Sequence, residues 1–158
     1  MKLSKVITLI VCLIVPLAVG GFAGVETAQN ITTWYVDLVK PWFNPPNYLF
    51  GPVWTLLYIL MGIAMYLVFW TFSSAVLRKQ AIILFATQLL FNFAWSFIFF
   101  KYHQLGWALF EIIIMWILIF ITIMAFAKVS KVAAWLLVPY ISWVSFATIL
   151  NFAIWRLN

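Results

Sequence analysis

Five apolar runs of spanning length occupy almost the whole chain; one or two basic residues follow each of the last four, and Lys2 and Lys5 precede the first. A helix needs about 20 consecutive apolar residues to cross the hydrocarbon core of a bilayer. The sequence therefore predicts an all-α integral membrane protein, a five-transmembrane-helix bundle that forms a single domain over residues 1–158. The predicted spans are residues 6–25, 48–74, 80–100, 105–127 and 132–155.

The composition excludes the other broad classes. Hydrophobic residues make up 68% of the chain and charged residues 8%, whereas a soluble domain is about 25% charged. Disorder requires low hydrophobicity and high charge, so a disordered chain is excluded too. The net charge of +6 comes from bases at the ends of apolar runs. That pattern is typical of topology determinants and lipid-headgroup contacts, not of nucleic-acid binding.

The distribution of bases predicts the orientation of the chain. Six bases lie on the side of the N-terminus, namely Lys2, Lys5, Arg78, Lys79, Lys128 and Lys131. Three lie on the other side, namely Lys40, Lys101 and Arg156. The positive-inside rule then favours a cytoplasmic N-terminus, with the long loop over residues 26–47 outside. The first run also has features of a signal peptide, but its length is closer to that of a span.

Residues for metal, disulfide or nucleophilic chemistry are scarce. The chain has one cysteine, Cys12, and one histidine, His103, so neither a disulfide within the chain nor a protein-built metal site is expected. There is no Ser/His/Asp or Cys/His set, no nucleotide-binding glycine loop and no relay of charged residues through the spans. We therefore expect no obligatory cofactor.

Aromatic and polar residues recur along one face of several spans. Spacings of three and four residues place side chains on the same helix face. The stripes are Trp54, Tyr58, Met61 and Met65; Gln88, Asn92, Trp95 and Phe99; Trp107, Glu111 and Ile114; and Tyr140, Trp143, Ala147 and Asn151. For any one residue, packing between helices is the simpler explanation. The convergence of several stripes favours a lined cavity.

Three further features leave alternatives open. Glu111 is the only acid well inside a span; it either reaches back to Lys101 or His103 or faces a pocket as a protonated acid. Gly20 and Gly24 form a GxxxG pattern, which allows close helix packing inside the chain or between subunits. The proline-stiffened, aromatic first loop is suited to act as a lid.

Taken together, these motifs resemble the TspO/MBR family of translocator proteins and tryptophan-rich sensory proteins, once called peripheral-type benzodiazepine receptors. The resemblance covers the chain from the long loop onward, in the order and spacing of the family. The matching pieces are Trp34-Tyr35, Lys40-Pro41 and Pro45-Pro46; Gly51-Pro52-Val53-Trp54, Leu57-Tyr58 and Met61-Gly62; Gln88, Asn92, Trp95 and Phe99-Phe100; and Leu136 to Tyr140, Trp143, Phe146-Ala147 and Leu150-Asn151.

The resemblance implies five membrane helices, commonly in a homodimer, with a ligand pocket under the first loop. It implies binding of porphyrins such as protoporphyrin IX, of haem-type tetrapyrroles and of related hydrophobic ligands, and a bacterial cell membrane fits best. By carry-over, Trp34 and Tyr35 match the lid, while Trp54 and Trp143 match a tryptophan pair linked to light-dependent porphyrin degradation. Asn92, Trp95, Ala147 and Leu150 match pocket-wall positions of the family. The helical stripes add Tyr58, Gln88, Phe99, Trp107 and Tyr140 to the predicted ligand-binding residues.

Two departures from the family pattern bear on function. Lys40-Pro41 runs directly into Trp42-Phe43, without the usual small polar residue, and we expect a reshaped lid. The proposed cholesterol motif requires a tyrosine where this chain has Phe152, so sterol binding through that motif is not expected. Three functions compete: a porphyrin-binding sensor or carrier, a light- and oxygen-dependent porphyrin-degrading enzyme, and a structural or pore subunit.

Overall fold

The structure is a computed structural model that describes residues 3–158, so Lys2 lies outside the described residues. Within this range the chain forms helices and turns and no strand. The helices are α1 (Leu3–Ile31), α2 (Trp34–Asp37), α3 (Phe50–Trp70), α4 (Ala75–Ser96), α5 (Leu105–Ala127), α6 (Lys131–Leu136) and α7 (Val138–Leu157). Five helical segments are long and apolar enough to cross a membrane, which confirms the predicted fold class.

The helix bounds differ from the predicted spans at several ends. α1 continues past residue 25 to Ile31, and the short helix α2 lies inside the predicted long loop. α4 begins at Ala75, because the Ser74 side chain accepts a hydrogen bond from the Leu77 backbone N–H at 3.2 Å and caps the helix. Arg78 and Lys79 therefore lie inside the start of α4, although the second span was predicted to reach residue 74 and stop at this basic pair.

The helices pack into one bundle. α1 packs on α3, α4 on α5, and α5 on α7, while α3 also contacts α6. α1 and α3 approach each other closely at Gly62, where an added Cβ would lie 2.7 Å from the Cys12 carbonyl oxygen. Small residues allow such close approach between membrane helices.

Two helices carry local irregularities that position the site. The last span is divided at Leu137, and α7 begins with Pro139 in its first turn, where the missing proline N–H costs no helical bond. α4 is extended by a π-helical turn over Phe97–Lys101, in which the Tyr102 N–H donates to the Phe97 carbonyl at 2.9 Å. A π turn rotates the residues that follow it relative to an α-helical register.

Candidate functional site

A chain of buried hydrogen bonds joins three helices at the centre of the bundle. The Tyr58 hydroxyl donates to Asn92 Oδ1 at 2.6 Å, and Asn92 Nδ2 donates to the Tyr140 oxygen at 3.1 Å. The Tyr140 hydroxyl then donates to Gln88 Oε1 at 2.9 Å. All four side chains are buried. These bonds fix the polar stripes of α3, α4 and α7 against one another.

A second polar contact lies closer to the lid. Trp95 Nε1 donates to Asn151 Oδ1 at 3.2 Å, and Asn151 Nδ2 donates to the Leu105 carbonyl at 3.0 Å. Asn151 thereby links α4, α5 and α7. The indole ring of Trp95 is held in place and stacks on Phe99, with ring centroids 5.0 Å apart.

Most of the predicted pocket residues surround one small inner cavity. Its volume is only about 20 Å³, about the room that one water molecule needs. Side chains from the lid, α3, α4 and α7 fill the remaining space. Seven of the predicted ligand-binding residues line it, namely Tyr35, Trp54, Trp95, Phe99, Trp143, Ala147 and Leu150.

A much larger cleft adjoins this cavity, between α1 and α3. Its volume is about 490 Å³, within the range of about 300–1,000 Å³ that is usual for small-molecule sites. Trp54 and Trp95 line both the cleft and the inner cavity, as do two phenylalanines, Phe50 and Phe100. We call this space the α1–α3 cleft.

The two walls of the α1–α3 cleft differ in character. On one side, the Trp54 ring stacks on Tyr58 with centroids 5.5 Å apart, and the buried Tyr58 ring lies against Gly20, where the two walls meet. The opposite wall, from α1, consists mainly of small residues, which are Gly20, Gly21, Ala23, Gly24 and Ala28. Polar atoms are few and come from side chains such as Thr27, Asn47, Thr55 and Ser96. The lining suits a largely apolar ligand.

The first loop folds over the inner cavity. The Tyr35 hydroxyl donates to Asn44 Oδ1 at 2.7 Å, and burial raises the pKa of Tyr35 to about 12. Phe43 packs edge-on against Phe146 of α7, while Trp42 is almost fully exposed. Phe43 therefore closes the lid in the segment where this chain departs from the family pattern.

The extra turns of α1 are attached to the turn between α4 and α5. Lys101 forms an ion pair with Glu26 at 3.0 Å, and His103 Nε2 lies 3.2 Å from Asn30 Oδ1. The His103 ring also stacks on Trp34 of the lid at 4.0 Å, from a backbone with φ of 55°. These contacts hold together the lid, α1 and the end of α4.

Five predicted residues lie around these cavities without lining the inner one. Tyr58 lines the α1–α3 cleft, whereas Gln88, Asn92 and Tyr140 form the hydrogen-bond chain behind it. Trp34 packs on Phe99 and His103 in the lid.

Trp107 does not join the other predicted pocket residues. Its side chain is 67% exposed on the outer surface of α5, where it packs against Phe110. A tryptophan close to a helix end is equally expected at the membrane interface. The exposure of Trp107 fits that position.

Glu111 is buried and does not reach back to Lys101 or His103; it lines a separate groove of about 410 Å³ together with Trp107 and Ile114. Lys101 pairs with Glu26 and His103 with Asn30, so neither reaches this carboxylate. Among residues 3–158, no side chain or backbone group hydrogen-bonds to either Glu111 oxygen.

The two glycines of the GxxxG pattern have separate environments. Gly20 lies against the Tyr58 ring, so that an added Cβ would clash with it. Gly24 lines the cleft, and an added Cβ there would meet no atom within 4 Å. Both glycines thus line the cleft within this chain. The predicted dimer contact stays a prediction.

Sequence reasoning missed the contribution of α1 to the site. The glycine-rich segment was visible, but small residues in a membrane helix are ordinarily interpreted as packing positions. Phe100 was also missed, because a regular α-helical period brings Phe99 to the site and turns its neighbour away. The π turn brings both rings into buried positions.

The site offers binding surfaces and no recognisable catalytic set. Within the described part of the chain, no three His, Cys, Asp or Glu side chains are grouped as a metal site. The walls supply tryptophan and tyrosine rings for aromatic contacts and a few hydrogen-bonding atoms that can orient a ligand.

Comparison with known proteins decides the family. The chain matches the TspO/MBR family over residues 12–156. The chain belongs to the TspO/MBR family. It is 46% identical to the tryptophan-rich protein TspO of Chlorobaculum tepidum over 155 residues, which cover 98% of each chain. It is 43% identical to the protein of the same name from Archaeoglobus fulgidus, across 98% of this chain and 99% of the relative.

The family also contains mammalian relatives. The translocator protein of Bos taurus is 37% identical over 145 residues, which cover 89% of this chain and 85% of the relative. The five apolar helices and this family membership identify a multi-pass integral membrane protein.

Proposed function

We propose that this TspO/MBR protein is a membrane sensor or carrier that binds porphyrins, such as protoporphyrin IX and haem-type tetrapyrroles, and related hydrophobic ligands. The observation that carries the proposal is the α1–α3 cleft of about 490 Å³, which is lined by aromatic residues such as Trp54 and Trp95 and by small residues of α1. A planar macrocycle gains from stacking on such a surface and from removal of its apolar area from water.

The cleft is a better seat for the ligand than the inner cavity in this conformation. The inner cavity, at about 20 Å³, has no room for a macrocycle, whereas the cleft measures about 490 Å³. Trp54 and Trp95 belong to both spaces, so a ligand in the cleft would still contact these two predicted residues. Thr27, Asn47 and Thr55 are available to orient polar edges of the ligand.

The names of relatives agree with a role in sensing or carriage. One relative, from Cereibacter sphaeroides, is a tryptophan-rich sensory protein and is 40% identical across 79% of this chain. The bovine relative is named a translocator protein. We expect a homodimer in a bacterial cell membrane, with porphyrin and lipid as partners, no nucleic acid and no obligatory cofactor.

The second candidate function is light- and oxygen-dependent porphyrin degradation. The observation that favours it is the proximity of two predicted residues, since Trp54 and Trp143 line the same inner cavity. Trp54 would also touch a ligand in the cleft. In this alternative an excited porphyrin in the cleft reacts with molecular oxygen beside Trp54, while Trp143 lines the adjoining inner cavity.

The test is quenching of tryptophan fluorescence by protoporphyrin IX with the full chain in detergent. The titration is run in the dark and then under light, while the porphyrin absorbance is followed over time. The variants are Trp54→Phe and Trp143→Phe. Trp107→Phe is the matched control, because Trp107 lies on the outer surface, away from both cavities.

The outcomes separate the competing functions. A sensor or carrier gives saturable quenching and a stable porphyrin spectrum, with weaker binding in Trp54→Phe and unchanged binding in Trp107→Phe. Loss of the porphyrin band under light, abolished in the Trp54 or Trp143 variant while binding persists, would establish the enzyme. Absence of saturable quenching would refute both and leave a structural or pore subunit.

A further inference from the structure

We propose that the groove between the start of α4 and the end of α5 is a binding site for an anionic phospholipid. This groove lies outside the site described above and does not depend on porphyrin binding. It has a volume of about 360 Å³ and opens laterally on the bundle surface. Its ligand would be a lipid of the surrounding bilayer with a negatively charged headgroup.

The groove wall is apolar along its length and polar at its outer end. α4 contributes Leu77, Ile83 and Leu84, and α5 contributes Ile121 and Met124. Residues 77 to 84 span about 10 Å at a rise of about 1.5 Å per residue. This length of apolar surface accommodates part of an acyl chain.

A basic residue stands where the groove reaches the membrane surface. Lys128 lines the groove just beyond the last residue of α5, and Gln80 faces it from α4. Lys128 is exposed. A lipid whose chain lies between α4 and α5 would thus place its phosphate beside an ammonium group and an amide.

The charge at this end of the bundle matches an anionic partner. The bases here are Lys5, Arg78, Lys79, Lys128 and Lys131, and within residues 3–158 no acid lies at this end. Lys5 lies over the Trp70 ring, and Arg78 donates to the Thr71 carbonyl. The described part of the chain provides no carboxylate to neutralise Lys128.

The opposite end of the bundle has no such excess of bases over acids. Lys101 is paired with Glu26 there, and Asp37 lies in the lid. The positive-inside bias favours placing the basic end at the cytoplasmic leaflet, where anionic lipids are concentrated. Lipid headgroups are known to occupy basic pockets between membrane helices on that side.

The test is native mass spectrometry of the full chain released from detergent after titration with phosphatidylglycerol or phosphatidylcholine. We expect one retained phosphatidylglycerol and clearly weaker retention of phosphatidylcholine. Lys128→Gln should reduce the preference for phosphatidylglycerol over phosphatidylcholine about fivefold, since one base near the surface contributes about 1 kcal/mol to the binding of an anionic lipid. Arg156→Gln, an exposed base at the other end, is the control and should leave the preference unchanged.

A competition experiment distinguishes binding of the whole lipid from binding of its headgroup alone. Soluble glycerol phosphate, added at the same concentration, should not displace the retained lipid, because it lacks the chain that fills the groove. Equal retention of the two lipids would overturn the proposal. So would an unchanged preference in Lys128→Gln, or displacement of the lipid by glycerol phosphate.

Discussion

Asn92 connects the polar side chains in the interior, because its amide accepts from Tyr58 and donates to Tyr140. Asn92→Leu would leave both hydroxyls without this partner in a buried environment. We expect the free energy of unfolding to fall by about 1–3 kcal/mol. Unfolding in mixed detergent micelles measures this loss. Thr87→Val is the control, because Thr87 bonds only to the Ile83 carbonyl of its own helix.

Tyr35 makes lid stability dependent on pH in the alkaline range. The ordinary pKa of tyrosine is about 10, and burial raises the pKa of Tyr35 to about 12. Below pH 10 the phenol is neutral in the folded and unfolded chains, so its contribution to the free energy of unfolding is fully present. Between pH 10 and 12 the unfolded chain loses the proton first, and this contribution is lost as pH rises.

The measurement compares the free energy of unfolding of wild type and Tyr35→Phe from pH 8 to 12. The advantage of wild type should shrink above pH 10. Tyr48→Phe serves as the control, because the Tyr48 side chain is 75% exposed. A constant difference between wild type and Tyr35→Phe across this range would contradict the proposed role of the buried phenol.

At the scale of helices, the approach of α1 to α3 depends on Gly62. An added Cβ there would press on the Cys12 carbonyl and on Leu13. Gly62→Ala should therefore lower the free energy of unfolding by about 1–3 kcal/mol, as overpacking of a filled core does. Gly24→Ala should be close to neutral, because its Cβ meets open space. Equal effects of the two substitutions in mixed micelles would argue against this packing.

The ends of helices show which structural features a sequence pattern misses. Apolar run length predicted five spans, because bilayer thickness sets a minimum helix length. It missed the continuation of α1 to Ile31, where the helix leaves the most apolar stretch and is held by contacts of Glu26 and Asn30 with the α4–α5 turn. Those contacts involve residues more than 70 positions apart, so no local pattern reports them.

The positions of the predicted site residues show what helical spacing can and cannot indicate. Helical spacing and family resemblance selected Trp54, Trp95 and Trp143, and the structure places all three at one inner cavity. Spacing alone could not distinguish Trp107, whose helix face points outward. Nor could it reveal that the large cleft lies on the α1 side, since cleft volume depends on how far apart whole helices sit.

At the scale of the whole molecule, the charge distribution predicts its orientation. In a Cys12→Ser background, Trp42→Cys places one thiol on the exposed lid, and Val132→Cys places one near the basic end. An impermeant maleimide added to intact cells should label the lid cysteine. It should label the cysteine at residue 132 only after the membrane is permeabilised. The reverse pattern would show that the N-terminus faces outward.

The most direct test of the account is protoporphyrin IX binding by Gly24→Phe, measured as tryptophan quenching in the dark. Gly24 lines the α1–α3 cleft and has open space for a side chain, so a phenyl ring fills the proposed seat without a clash at its Cβ. Val25→Phe is the matched control, because the neighbouring Val25 is 50% exposed and does not line the cleft. The account predicts saturable binding in wild type and Val25→Phe, and at least tenfold weaker binding in Gly24→Phe. Equal affinity in all three proteins would contradict it.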